Sequence, residues 1–216
     1  MAYELYLKGR YFLAKRSPES LDKSVDYFAK AIEADPAYAP AHAGLADAYY
    51  EMVYWSGLPP RDLMPKARAA AERALELDDS LADAHTSRAI ILEDYDWRFA
   101  EAEGEYRRAI ELNPGYALAH QRYGQLLAEM GRFDEARAEQ LRALALDPLS
   151  LNVNMSLGSL NYLMRRYDDA AEQLRKTLEL DPNYAEARGL LGVVYKEKGM
   201  YDEAVAVWLQ DTAPES

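Results

Sequence analysis

The proline of an Asp-Pro or Asn-Pro pair returns on a fixed beat: Pro114, Pro148 and Pro182 stand 34 residues apart. Upstream, Pro36 and Asp79 hold the same place, followed by gaps of 43 and 35 residues. Self-similarity with a period of roughly 20 to 50 residues marks a solenoid or a propeller. In such an array each unit packs only on its neighbours, so the domain count usual for a chain of 216 residues does not apply. A stack of repeated units offers a long surface for holding something else and rarely carries chemistry of its own.

Within each period two helical patterns alternate, with apolar residues three and four apart, as in Leu174 and Leu178 or Leu141 and Leu144. The first pattern (A) is expected over 2–14, 38–53, 81–94, 116–130, 150–164 and 184–198. The second (B) is expected over 18–34, 62–77, 97–112, 132–146, 166–180 and 200–210. Together they form six repeats in one array, 2–37, 38–80, 81–115, 116–149, 150–183 and 184–211, which assigns all of 1–216 to a single domain. Ser17-Pro18-Glu19 supplies an N-cap, a first-turn proline and a first-turn acid. Gly131 and Gly199 close A helices. The second repeat carries about nine extra residues around Trp55-Ser56-Gly57-Leu58-Pro59-Pro60, read as a long turn that ends with Asp62 as N-cap and Pro65 in the first turn of the next helix. The third has one extra residue near Asp94-Tyr95-Asp96-Trp97. Trp55 and Trp97 are expected to fold back over exposed core.

Small residues provide the strongest evidence for the register. The A helices read Gly9, Ala46, Ala89, Gly124, Gly158 and Gly192 at one place, and the B helices read Ser24, Ala67, Ala102, Ala136, Ala170 and Ala204 at another. Seven residues further on come Ala31, Ala74, Ala109, Ala143, Thr177 and Asp211. A bulky side chain where two helices cross closely would cost about 1–3 kcal/mol. These columns resemble the tetratricopeptide repeat (TPR) family. The last unit carries Leu191-Gly192-x-x-Tyr195 and Ala204-x-x-x-Trp208. The fifth carries Leu157-Gly158, with Asn161 in place of the family tyrosine, then Ala170-x-x-x-Leu174 and Pro182. The resemblance implies an all-α fold, a right-handed α-solenoid of about six helix-turn-helix repeats. Phrases such as Ala43-Gly44-Leu45-Ala46-Asp47-Ala48-Tyr49 also resemble the repeat tails of bacterial multidomain signalling or transcriptional regulators.

Charge and composition then exclude several functions. Lys+Arg 25 against Asp+Glu 37 gives a formal charge of −12, which repels phosphate backbones and argues against nucleic acid as a partner. A basic or apolar peptide or protein suits this balance better. There are no cysteines, hence no disulfide, thiol nucleophile or zinc–thiolate site. No apolar run reaches the roughly 18 residues of a membrane span, so no membrane insertion is expected. Met1-Ala2-Tyr3-Glu4-Leu5 lacks the start of a secretory signal. The chain is therefore expected to stay where it is made, which favours the cytoplasm, or to be a segment of a longer one.

No constellation of residues points to an enzyme. His42, His85 and His120 share one register, but equivalent positions in neighbouring helices about 8–10 Å apart cannot converge on one metal ion; packing is the expected role. Asp134-Glu135, Asp168-Asp169 and Asp202-Glu203 open B helices, where they complement the helix dipole. No cofactor is implied, and the array is expected not to be an enzyme.

In the TPR family the A helices line the concave face, at the second, fifth, ninth and twelfth places of each unit. That register implies a partner-binding groove containing Tyr6, Arg10, Asp47, Tyr50, Ile90, Gln121, Gln125, Met155, Ser159 and Tyr162. Tyr6, Tyr50, Met155 and Tyr162 are the anchors expected for an extended or helical peptide. The Lys and Asn pair of carboxylate-clamp adaptors is matched nowhere. The resulting expectation is a protein-interaction scaffold; the alternative is a small-molecule-sensing regulatory region of a larger bacterial signalling protein. The helix Tyr201–Leu209 is apolar on nearly every side and is expected to be covered, with self-association as one means.

Overall fold

A computed structural model describes residues 1–209. Among them are twelve α-helices and no strand. The A helices are α1 (Ala2–Leu13), α3 (Ala39–Trp55), α5 (Ala82–Asp94), α7 (Ala117–Glu129), α9 (Leu151–Leu163) and α11 (Ala185–Glu197). The B helices are α2 (Pro18–Ala34), α4 (Pro60–Leu77), α6 (Phe99–Leu112), α8 (Phe133–Leu146), α10 (Tyr167–Leu180) and α12 (Tyr201–Leu209). The chain forms two compact units, Met1–Ala119 and His120 onward, the division falling inside α7. Asp211 lies outside the described residues.

The repeating turn between B and A helices explains the proline beat. Asp35, Asp78, Asn113, Asp147 and Asp181 are C-caps, each sending its backbone N–H four residues back into the helix. The cap side chain then turns the chain by accepting the N–H two residues on: Ala37 at 3.1 Å, Ser80 at 2.9 Å, Gly115 at 3.1 Å and Asn183 at 2.9 Å. Proline follows because it cannot extend the helix. A second clamp comes from the fourth place of the A helix. His42 Nε2 and His85 Nε2 donate to the carbonyls of Pro36 and Asp79, at 3.2 and 3.0 Å. Asn154 and Arg188 do the same to Pro148 and Pro182, at 3.0 and 2.8 Å. His42 and His85 are thus turn clamps. Among the described residues no group of three or more His, Asp or Glu is placed to hold a metal.

The turn inside each repeat needs a left-handed residue. Trp97, Gly131, Arg165 and Gly199, 34 residues apart, have φ of 58°, 75°, 57° and 76°, and Arg16 has 47°. Glycine reaches this region without cost, whereas Trp97, Arg165 and Arg16 do not. Trp97 is 75% exposed, so it does not fold back over the core. Trp55 is also exposed. The nine-residue insertion lengthens α3 and α4 instead of forming a long loop: α3 runs through Trp55, α4 starts at Pro60, and Asp62 falls in its first turn. Pro65 consequently lies inside α4, beyond its first turn.

Packing follows the small-residue columns. All six A-helix positions are buried, and Ser24, Ala67, Ala102, Ala136, Ala170 and Ala204 are at most 1% exposed. A Cβ at Gly9 would lie 2.5 Å from the Phe28 ring; one at Gly158, 2.8 Å from Leu174; one at Gly124, 3.1 Å from the Ala136 carbonyl oxygen. The A helices therefore approach their own B helices too closely for a larger side chain. Within each unit the A helices also touch one another, α1 with α3, α3 with α5 and α9 with α11, while successive B helices do not. The A helices form the inner layer of each unit.

Candidate functional site

The inner face of Met1–Ala119 gathers charge. Arg10 on α1 places Nη1 3.9 Å from Asp47 Oδ2 on α3 and 3.6 Å from Asp83 Oδ2 on α5. Both distances exceed a hydrogen bond, so the charges are loosely paired. Ser87 on α5 donates to Asp47 Oδ1 at 2.5 Å. Its hydroxyl also lies 2.9 Å from the Asp83 carbonyl oxygen, but it has one proton and the carboxylate is the stronger acceptor. Burial pushes Asp47 up to about 6. Ser87 and Arg10 oppose that rise, and Asp83 and Glu51 add to it. Burial likewise raises Asp83, with Arg10 opposing. Tyr116, just before α7, is raised well above the ordinary phenol range by burial and by Asp83 and Asp47. Tyr6 is raised by burial too, with Arg10 opposing, and its ring meets Tyr38 edge-on at 5.7 Å. The result is an acidic cluster beside Tyr6 and Tyr116 that one arginine partly neutralises.

Tyr50 and Ile90, assigned to the same face by register, are buried beneath it. The Tyr50 hydroxyl is 2.5 Å from Asp94 Oδ2 and 3.2 Å from Tyr54 Oη. Both side chains support the surface rather than form it. Asp83, at the second place of its unit, stands on the face that the register assigns to the groove, whereas Ser87 and Tyr116 join the cluster although the sequence reading did not select them.

From His120 onward α7 and α9 present neutral amide, hydroxyl and apolar groups on the inner face, and charge returns at the ends of α11, with Glu186 and Lys196. Gln121 and Gln125 on α7 both donate to Ser156 Oγ on α9, at 2.9 and 3.0 Å. Gln121 is buried, and its carbonyl accepts from Gln140 Nε2 at 2.9 Å. Tyr184 donates to Asn152 at 3.3 Å. Met155 and Tyr162 are half-buried and pack against the cluster of Leu174, Leu191 and Val194. Ser159 is half-buried on α9. Ser156 was missed by the sequence reading, although it shares the register of Ser87. In both units a serine at this place links an A helix to the one before it, and the recurrence of serine at these two of the six equivalent places was the available signal.

Away from these faces, Arg68, Glu72, Arg88, Asp96 and Arg98 line a small cleft of about 70 Å³. Its arginines are paired with Asp96, Glu105 and Glu101 respectively. His85, behind the inner face, is held between the Asp79 carbonyl and Glu105, whose Oε2 lies 2.6 Å from Nδ1. Both partners accept, so the ring carries two protons while Glu105 is ionised.

Known proteins share this architecture. The Pseudomonas aeruginosa protein PilF is 25% identical, with a TM-score of 0.70, over 84% of this chain and 79% of its own. YrrB, described as a TPR protein with an unusual peptide-binding site, is 22% identical with a TM-score of 0.53, over 78% of this chain and 82% of its own. A human IFIT1 mutant solved with Gppp-AAAA is 17% identical with a TM-score of 0.83; it covers 100% of this chain, which spans about half, 51%, of IFIT1. No curated protein sequence matches the chain. The tetratricopeptide repeat model matches residues 98–158 and 162–210, just over half of the sequence. With six helix pairs, small residues at every crossing and a clamped turn between repeats, this chain belongs to the tetratricopeptide repeat family, whose arrays serve as scaffolds for protein interaction.

Proposed function

We propose that the inner face of the A helices binds a peptide segment of a partner protein, and that the cluster of Tyr6, Arg10, Asp47 and Asp83 receives a cationic side chain of that segment. The observation that carries this reading is the loose pairing of Arg10. Two carboxylates face one guanidinium at 3.6 and 3.9 Å, and neither forms a tight bidentate bond with it. A lysine or arginine entering between them would complete the charge balance, and the Tyr6 and Tyr116 rings would cover its stem. Gln125, Ser159 and Tyr162 in the other unit would add hydrogen bonds and apolar contact along the peptide. YrrB is a protein of this fold described with a peptide-binding site, which is in keeping with the reading. IFIT1 carries the phosphate-bearing Gppp-AAAA on the same fold. Here a net charge of −12 and the carboxylates of the cluster oppose such a ligand.

The test is a random-sequence peptide array probed with the labelled protein and with an Asp47→Asn/Asp83→Asn variant whose fold is checked by circular dichroism. The expected result is enrichment of lysine- and arginine-containing peptides by the wild type, lost in the variant. Equal enrichment by both proteins, or a preference for acidic peptides, would overturn the assignment.

A further inference from the structure

Inside each unit a B helix packs on two partners, its own A helix and the A helix that follows: α2 touches α1 and α3, and α10 touches α9 and α11. Phe28 shows this at atomic scale, since a Cβ on either Gly9 or Gly44 would meet its ring at 2.5 Å. The last helix, α12, packs on α11, and its other side is open among the described residues. Trp208 shares the register of Phe28, Gln140 and Leu174, which are at most 1% exposed, yet it is 39% exposed. Val205 and Leu209 are exposed beside it.

The first helix shows the opposite deficit. Tyr11 shares the register of Ile91, Leu126 and Val194, at most 2% exposed, but it is 60% exposed. Leu7 stands in the register of Gly44, the residue that faces the preceding B helix in the second repeat, and it too is exposed. Tyr3, Leu7 and Tyr11 are spaced by four and form one exposed stripe along α1.

We infer that the open side of α12 in one molecule packs on the open side of α1 in a second copy, repeating between molecules the step from B helix to following A helix that builds each unit. Each surface lacks the element that the other supplies. Their charges are complementary as well: exposed Lys8 and Lys15 border the α1 stripe, with Lys15 Nζ 4.4 Å from the Tyr11 ring centre, while α12 opens with exposed Asp202 and Glu203. Glu4 is a counterweight. It is exposed where other repeats bury Ala41, Ala84 or Val153, and a carboxylate there keeps the contact weak and reversible. This inference goes beyond the peptide-binding reading and does not depend on it. The contact joins two different surfaces, so each end of a pair remains free and the assembly can grow.

Sedimentation velocity over a concentration series tests it. The wild type should gain mass beyond a dimer as concentration rises, and less so at high salt. Tyr11→Glu and Val205→Glu, both at exposed positions and both checked for folding by circular dichroism, should each remain monomeric. An equimolar mixture should restore a one-to-one pair and nothing larger, because the Tyr11→Glu copy keeps its α12 surface and the Val205→Glu copy keeps its α1 surface. A wild type monomeric up to about 1 mM would overturn the inference. So would association blocked by Val205→Glu but untouched by Tyr11→Glu, since α12 would then be pairing with itself, or a mixture that stays monomeric.

Discussion

The inner faces of the two units share a register but not a chemistry. In Met1–Ala119, Arg10, Asp47 and Asp83 make the face charged and titratable. On α7 and α9 of the other unit, Gln121, Gln125 and Ser156 present amide and hydroxyl groups in place of that charge. A similar difference lies behind each face. Phe28 wedges between two glycines in the first unit, whereas Gln140 occupies its place in the second and donates to the Gln121 carbonyl. The repeat therefore fixes where a side chain stands, and the residue at that place decides whether it binds charge, titrates or only fills space.

The largest expected effect tests the wedge. Phe28→Ala should destabilise the chain by about 3–5 kcal/mol, the range for a buried aromatic truncated in a close-packed site. Gln140→Leu should cost far less, because it removes one hydrogen bond together with an Oε1 that has no protein partner. Denaturant melts of the two variants measure the contrast, and equal losses would show that Phe28 is not the wedge its burial implies.

The next effect concerns Asp47. A carboxyl held at about 6, against an ordinary value of 3.8, binds its proton more tightly in the folded state. Its contribution is most favourable at the acid end of the interval between those values, declines as pH rises through it, and is constant above about 6. The difference between wild type and Asp47→Asn should therefore change by about 2–3 kcal/mol across that interval. Gln125→Glu, probing the neutral face, should give no matching slope. A flat difference for Asp47→Asn would show that its carboxylate is ordinarily solvated.

A smaller effect tests the turn common to both units. Trp97→Gly and Arg165→Gly should each stabilise by about 0.5–1 kcal/mol: relief of the left-handed strain exceeds the added freedom of the unfolded chain. Thermal melts should show similar gains at the two sites. A loss at Trp97 alone would reveal a contact specific to the first unit.

The smallest effect contrasts His85 with Asn154, its counterpart in the second unit. Burial alone would lower the His85 pKa, but the Glu105 hydrogen bond, the Asp79 carbonyl and the charges of Glu105 and Asp79 outweigh it, and the net shift is upward. Its stabilisation is complete below the unfolded histidine value and is lost as pH rises through the folded one. His85→Asn should keep the clamp on the Asp79 carbonyl and remove this slope. A slope unchanged in urea melts between pH 5 and about 9 would place the titration elsewhere.

Nearly the whole fold was legible in the sequence. Each helix expected from the beat is present, with its described ends within about two residues, and in the second hairpin those offsets shorten the turn. The turn signals at Trp55–Pro60 read as a loop because Gly57, Pro59 and Pro60 break helix locally, yet a four-residue turn is enough to reverse the chain and the remaining residues extend α3 and α4. The site was legible as a face but not as a cluster. Register put Tyr6, Arg10 and Asp47 on the inner side, but it could not show that Arg10 reaches past α3 to Asp83 or that Ser87 and Ser156 join neighbouring A helices.

The sequence by itself determined the helices, their pairing and the direction each face takes, because these follow from local rules: a proline that stops a helix, an aspartate that turns it and a small residue that lets two helices cross. Only the tertiary structure decided which side chains from different repeats meet and how deeply each is buried. Depth and distance together set the Asp47 carboxyl near 6, leave Arg10 loosely held, and leave Tyr11 and Trp208 uncovered where their counterparts in other repeats are buried.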